Sequence, residues 1–309
     1  MIDPYTLATP DADPVSVRAV EAPARSTDST ETLLPPTEQP RIAERFDCTQ
    51  LSGAAFQPRG LRSFLQYRDL GLKGATGGRM RAEHIRAVGQ PDAGTGWHCH
   101  DLDFQFVFVL AGHVRFATED GDTVTLGAGD GAHLPGLYRH DEFEFSPDFE
   151  VLQITAPAEV STLSGADLTA PPIDRPGRIS CFATSYDSPE AYRIGDGPRH
   201  FLAYRDAGAT NATGRRVNIN VVRNSQAGDS STGWHYHSLA CQFIFVLKGW
   251  SRVEVDGEGE FTLHQGDAMT IPHGLKHDVT GFSHDFTVFE LNIPADYDTI
   301  ACERPSSTH

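Results

Sequence analysis

Residues 95–112 read TGWHCHDLDFQFVFVLAG, and residues 232–249 read TGWHYHSLACQFIFVLKG. The two stretches lie 137 positions apart (235 − 98 for their first histidines), and the correspondence runs on in both directions without a gap. Upstream, Phe64-Leu65 and Tyr67-Arg68-Asp69 recur as Phe201-Leu202 and Tyr204-Arg205-Asp206. Downstream, Gly129-Asp130, Pro135, His140 and Asp148-Phe149 answer to Gly266-Asp267, Pro272, His277 and Asp285-Phe286. A unit this long exceeds the roughly 20–50 residues of a solenoid repeat, so the chain holds two copies of one complete domain.

Inside each copy the local signal is β. Segments 104–118 (FQFVFVLAGHVRFAT) and 241–255 (CQFIFVLKGWSRVEV) are dense in β-branched and aromatic residues, and Asp120-Gly121 and Asp256-Gly257 supply hairpin turns. No long amphipathic helical stripe is present. Many short strands punctuated by Gly, Pro and Asp predict an all-β chain of two tandem antiparallel barrels of the jelly-roll kind. The first barrel is expected over 41–168, a Pro-rich linker (TAPPIDRPG) at 169–177, the second barrel over 178–295 and a tail at 296–309. Residues 1–40 hold too few large apolar groups to fold alone, and an irregular or disordered N-terminal arm is expected there.

Composition narrows the function. With 39% apolar and 22% charged residues the chain reads as globular. A net charge of −17 repels phosphate backbones and anionic lipid, which argues against nucleic-acid and membrane partners. No apolar run approaches the roughly 20 residues that span a bilayer. The N-terminus lacks the basic and apolar segments of a secretory signal, so a cytoplasmic protein is expected, as a monomer or homodimer. Five widely spaced cysteines without a CxxC pair signal neither a disulfide framework nor a thiolate zinc site.

The chemistry lies in one spacing: His98-x-His100-x4-Gln105 with His140 downstream, repeated as His235-x-His237-x4-Gln242 with His277. Residues two apart in a strand share a face, so each HxH pair turns both imidazoles to the barrel interior. Three imidazoles and a carboxamide oxygen suit a divalent transition metal, one per barrel: Fe, Ni, Zn, Mn or Cu. Several imidazoles buried without metal or partners would be costly.

These motifs resemble those of the cupin superfamily. Its first motif, an HxH pair followed by a carboxylate and a closing glycine, is similar to Gly94–Gly112 and to the stretch ending at Gly249; its second, G(x)5PxGxxH, is similar to Gly129–His140 and Gly266–His277. The resemblance implies a double-stranded β-helix for each copy. Two positions depart from the motifs. Leu137 occupies the glycine position of the second motif where the other copy has Gly274, which predicts a differently built turn. Gln105 and Gln242 replace the usual glutamate, removing a negative charge and leaving a bound metal a stronger Lewis acid. By resemblance, glutamine-ligated cupins include sugar-acid-processing, cyclising and isomerising enzymes, whereas glutamate-ligated or three-histidine cupins include many dioxygenases.

The expected function is therefore Lewis-acid isomerase, cyclase or lyase chemistry on a small oxygen-rich substrate (keto, enol or carboxylate). The alternatives are a non-haem Fe or Ni dioxygenase and a non-catalytic metabolite- or metal-binding protein. Candidate catalytic groups are Tyr138 and Arg139, just before His140, and Glu83, which with His84 corresponds to Asn220-Val221 in the second copy and makes the pockets non-equivalent. Trp97, Trp234, Phe104, Phe106, Phe108, Phe243 and Phe245 read mostly as packing, with a minority walling the pocket.

Overall fold

The computed structural model describes residues 42–58, 62–89, 94–165, 168, 181–195, 199–225 and 231–306. The expected arm (1–40) and linker (169–177) lie outside them. The described residues form four antiparallel sheets, paired as two sandwiches of seven and five strands. In the first, the seven-stranded sheet runs Ala183–Ser185, Gly131–Leu134, Phe104–Ala111, Glu150–Ala156, Arg81–Ala87, Leu65–Asp69, Gln57–Pro58; the five-stranded sheet runs Ser161–Ser164, His98–Asp101, His140–Phe145, His113–Thr118, Thr123–Gly127. The second sandwich repeats this order with Phe104–Ala111 replaced by Cys241–Lys248 and His98–Asp101 by His235–His237. Asp120-Gly121 and Asp256-Gly257 make the expected hairpins, with Gly121 at φ 87° and Gly257 at φ 77°.

Repeat and barrel do not coincide. Asp47–Thr49, at the start of the first copy, pairs with Ala268–Pro272 of the second barrel, and Ala183–Ser185, at the start of the second copy, pairs with Gly131–Leu134 of the first. Each copy thus caps the other's sheet edge with its own first strand, closing edges that would otherwise offer unpaired backbone groups. The expected tail also contributes: Thr299–Ala301 pairs with His235–His237, as Ser161–Ser164 does with His98–Asp101.

Strand alternation sorts the side chains. Phe104, Phe106 and Phe108 face a core shared with Phe243, Phe245, Phe289 and Leu291 of the other copy. The intervening Val107 and Val109 face the first barrel's interior, so none of the named phenylalanines walls its cavity. Each large side chain buried there contributes about 1.5–3 kcal/mol by transfer from water. Trp97 departs from the packing expectation, being 44% exposed. Two buried arginines complete the junction: Arg205 Nη2 donates to the Gly129 carbonyl at 2.6 Å, and Arg68 Nη2 donates to the equivalent Gly266 carbonyl. Among the described residues no helix is long and apolar enough to cross a membrane.

Candidate metal centres

His98 and His100 lie on one short strand and His140 opens the strand beside it, with His140 directly opposite His98 in register. His277 faces His235 in the same way. A nitrogen from each of His98, His100 and His140 falls within 4.8 Å of the others, and the same holds for His235, His237 and His277. The two triads nearly superimpose: ring centroids are 4.4, 4.9 and 5.5 Å apart in the first and 4.4, 5.0 and 5.2 Å in the second.

The turn before the third histidine sets this geometry. The Leu137 amide donates to the His100 carbonyl at 2.8 Å, and the Gly274 amide to that of His237 at 3.3 Å. The expectation of a differently built turn is overturned: Leu137 has φ 64° where Gly274 has φ 72°. The left-handed conformation is retained, and Leu137 bears its steric cost.

Every Nδ1 in both triads is occupied. It meets the backbone carbonyl of Gly96 (2.8 Å) for His98, Tyr138 (2.9 Å) for His140, Gly233 (2.6 Å) for His235 and Leu275 (3.0 Å) for His277. His100 and His237 meet the hydroxyls of Thr162 (3.1 Å) and Thr299 (3.0 Å). A carbonyl only accepts, so each of the four carbonyl-bonded rings carries a proton on Nδ1 and, when neutral, presents its Nε2 lone pair to the shared centre. Burial, with repulsion from the neighbouring rings, pushes His100 down to about 3, His237 to about 2 and His277 to about 4 and lowers His98; burial, with Arg199, lowers His235. These rings stay unprotonated at neutral pH, as metal ligands must.

Gln105 and Gln242 each direct Nε2 away to a neighbouring strand, to Gln153 Oε1 at 3.3 Å and to Glu290 Oε1 respectively. Gln242 Oε1 is left buried without a hydrogen-bond partner, and so is His140 Nε2. A cation would satisfy buried atoms left without hydrogen-bond partners in this way. Burial pushes the Glu290 carboxyl up, opposed by Arg199 and Gln242.

A carboxylate not anticipated from the sequence joins the first triad. Glu142 places Oε1 3.5 Å from His140 Nε2 and Oε2 3.6 Å from His98 Nε2. Thr95 Oγ1 donates to Glu142 Oε2 and accepts the Glu142 amide at 3.0 Å. The equivalent residue of the second copy is Val279. The signal in the sequence was His140-x-Glu142, the same alternation that joins the HxH pairs.

The first triad opens on a cavity of about 490 Å³ whose wall includes His98, His100, Gln105, Glu142, Arg62 and Glu83, with Val107, Val109, Phe116 and Phe145 among its apolar lining. Of the three candidate catalytic groups only Glu83 lines it. Tyr138 and Arg139 are not among the lining residues. The Tyr138 hydroxyl donates to Asp120 Oδ2 at 2.8 Å, burial pushes it up to about 12, and its ring stacks on Phe182. Arg139 donates to the Leu168 carbonyl at 2.5 Å. His84 turns the other way, toward Arg68 and Glu150 at the junction. All five cysteines are free thiols, and Cys241 is buried in the shared core with its thiol pushed up to about 12.

Comparison with known proteins agrees with this architecture. Residues 87–143 and 222–287 each match the family described as Cupin domain. No curated protein matches the chain by sequence. Among solved structures, oxalate decarboxylase of Bacillus subtilis, studied for its Mn(II) centres, aligns at a TM-score of 0.59 and 14% identity over 86% of this chain and 81% of that one. A tryptophan-to-phenylalanine variant of that enzyme aligns at 0.60 and 14% with the same coverage, and vicilin of Corylus avellana (hazelnut) at 0.56 and 13% over 82% of this chain and 87% of that one.

Proposed function

The chain is a bicupin, two cupin domains in tandem, and from that premise we propose that it is a metal-dependent enzyme carrying out isomerisation, cyclisation or elimination on a small oxygen-rich metabolite. The observation that carries this reading is the convergence of three imidazoles beside a cavity of about 490 Å³ whose wall also carries the Arg62 guanidinium and the Glu83 carboxyl group. A divalent ion held there by His98, His100 and His140, with Gln105 on the same wall, supplies Lewis acidity toward a keto, enol or carboxylate oxygen. Arg62, anchored by donating Nη1 to the Thr95 carbonyl at 2.7 Å, offers a positive group to a substrate carboxylate. Glu83 moves the proton, taking it from one carbon or oxygen of the substrate and returning it to another. Its counterpart Asn220 cannot exchange a proton at neutral pH, which favours the first barrel for turnover. Manganese, present in the structurally similar oxalate decarboxylase, joins iron, nickel, zinc and copper as a candidate ion.

One observation favours a second reading. Glu142 restores to the first centre the carboxylate that Gln105 lacks, which brings it nearer the ligand set expected of an oxygenase. A panel of hydroxy-, keto- and enol-acids assayed with and without dioxygen separates the two. Turnover under nitrogen supports the isomerase, cyclase or lyase reading, whereas turnover that requires dioxygen consumption supports the oxygenase. Under the first reading Glu83→Gln lowers kcat by roughly 10²–10⁴-fold with metal content unchanged. An unaltered kcat removes Glu83 from the chemistry.

A further inference from the structure

Both triads gather three imidazoles, and a glutamine recurs at the same position of each copy, but the first barrel places Glu142 against its rings where the second has Val279, while the second has Glu290 where the first has Gln153. In the first barrel Nδ1 of His98 and His140 donates to a carbonyl, so each ring, when neutral, presents its Nε2 lone pair. Those two lone pairs look at Glu142 oxygens 3.6 and 3.5 Å away. With neutral rings, acceptor faces acceptor on both sides of one small space, an arrangement that a shared cation or a proton relieves. Thr95 holds the carboxylate in place through its hydroxyl. In the second barrel Val279 puts an aliphatic group at this position, and the equivalent Thr232 hydroxyl turns to Asp278 Oδ1 at 3.2 Å. The Glu290 carboxyl of that barrel accepts from Gln242 Nε2.

Resting on the metal-binding reading above, we infer that Glu142 is the anionic ligand of the first centre, so that the chain carries two chemically distinct metal sites. The first is three histidines with a carboxylate, leaving a divalent ion a net formal charge of about +1; the second is three histidines with a carboxamide, leaving about +2. A carboxylate ligand raises affinity and shifts preference toward harder ions such as Mn(II), while an all-neutral set favours the ions that imidazole suits best.

The test is titration of the chelator-stripped, full-length protein with Co(II), followed by its visible spectrum and by equilibrium dialysis. Wild type is expected to bind two equivalents in two affinity classes, with His98→Ala abolishing the tighter and His235→Ala the weaker. Glu142→Gln is then expected to weaken the tighter class by roughly 10–100-fold and alter its spectrum, leaving the other class untouched. Glu142→Asp, which keeps the charge, is expected to recover most of the loss, and it carries the test if circular dichroism shows metal-free Glu142→Gln to be misfolded. Two equivalents with both classes unchanged in Glu142→Gln and Glu142→Asp would overturn the assignment of Glu142 while leaving the metal sites standing. No Co(II) bound by wild type would overturn both.

Discussion

At the scale of single residues, Leu137 and Gly274 test how the triads are held. Both sit in the left-handed region, at φ 64° and 72°. A Cβ built at Gly274 meets nothing within 4 Å, so Gly274→Ala carries the conformational cost alone. A destabilisation of about 1–2 kcal/mol in urea unfolding is expected. Leu137→Gly removes the same strain but gives up a half-buried side chain, and its stability should stay within about 1 kcal/mol of wild type. The histidine and glutamine positions were legible from the sequence because alternation in a strand and register between copies both point to them. Glu142 was not, because a residue that matters through its difference from Val279 leaves no trace in a match between copies. Arg139 precedes the strand that His140 opens, and its bond to the Leu168 carbonyl takes its guanidinium elsewhere. Tyr138 belongs to the turn, where alternation gives no direction, and only its packing against Phe182 and its bond to Asp120 place it.

At the scale of elements, the centres depend on short strands that contribute no ligand. Ser161–Ser164 and Thr299–Ala301 border the HxH strands and bring Thr162 and Thr299 to Nδ1 of His100 and His237. Thr299→Val keeps the β-branched shape while deleting the hydroxyl. It is expected to lower metal affinity at the second centre by roughly 10-fold, read by competition with a chromophoric chelator, with the first centre unchanged. An equal affinity would mean that the hydroxyl does not orient the ring. These strands escaped the sequence reading because three or four residues carry too little periodicity to show a pairing partner, although Thr162 and Thr299 do keep the 137-residue displacement (299 − 162).

At the scale of the molecule, the barrels are coupled. They exchange their first strands, share an apolar core and trade the Arg68–Gly266 and Arg205–Gly129 bonds across the junction. Calorimetry of the metal-free protein is expected to show one transition with equal calorimetric and van't Hoff enthalpies, and two resolved transitions would contradict the coupling. Arg205→Ala strands the buried Gly129 carbonyl and should cost about 1–3 kcal/mol. The duplication and the all-β class were plain in the sequence, since both are written in every strand. The strand exchange was not, because periodicity says which face of a strand is buried and nothing about which sheet it joins.

Two histidine triads, each gathering one metal ion, underlie every functional step proposed for this chain. Elemental analysis of the full-length protein purified without added metal measures this directly. Close to two equivalents of divalent transition metal per chain are predicted, falling to about one in His98→Ala and about one in His235→Ala while both variants keep the wild-type circular dichroism spectrum. Wild-type protein that holds no transition metal even after incubation with Mn(II), Fe(II), Ni(II), Zn(II) or Cu(II), or variants whose content equals that of wild type, would contradict it.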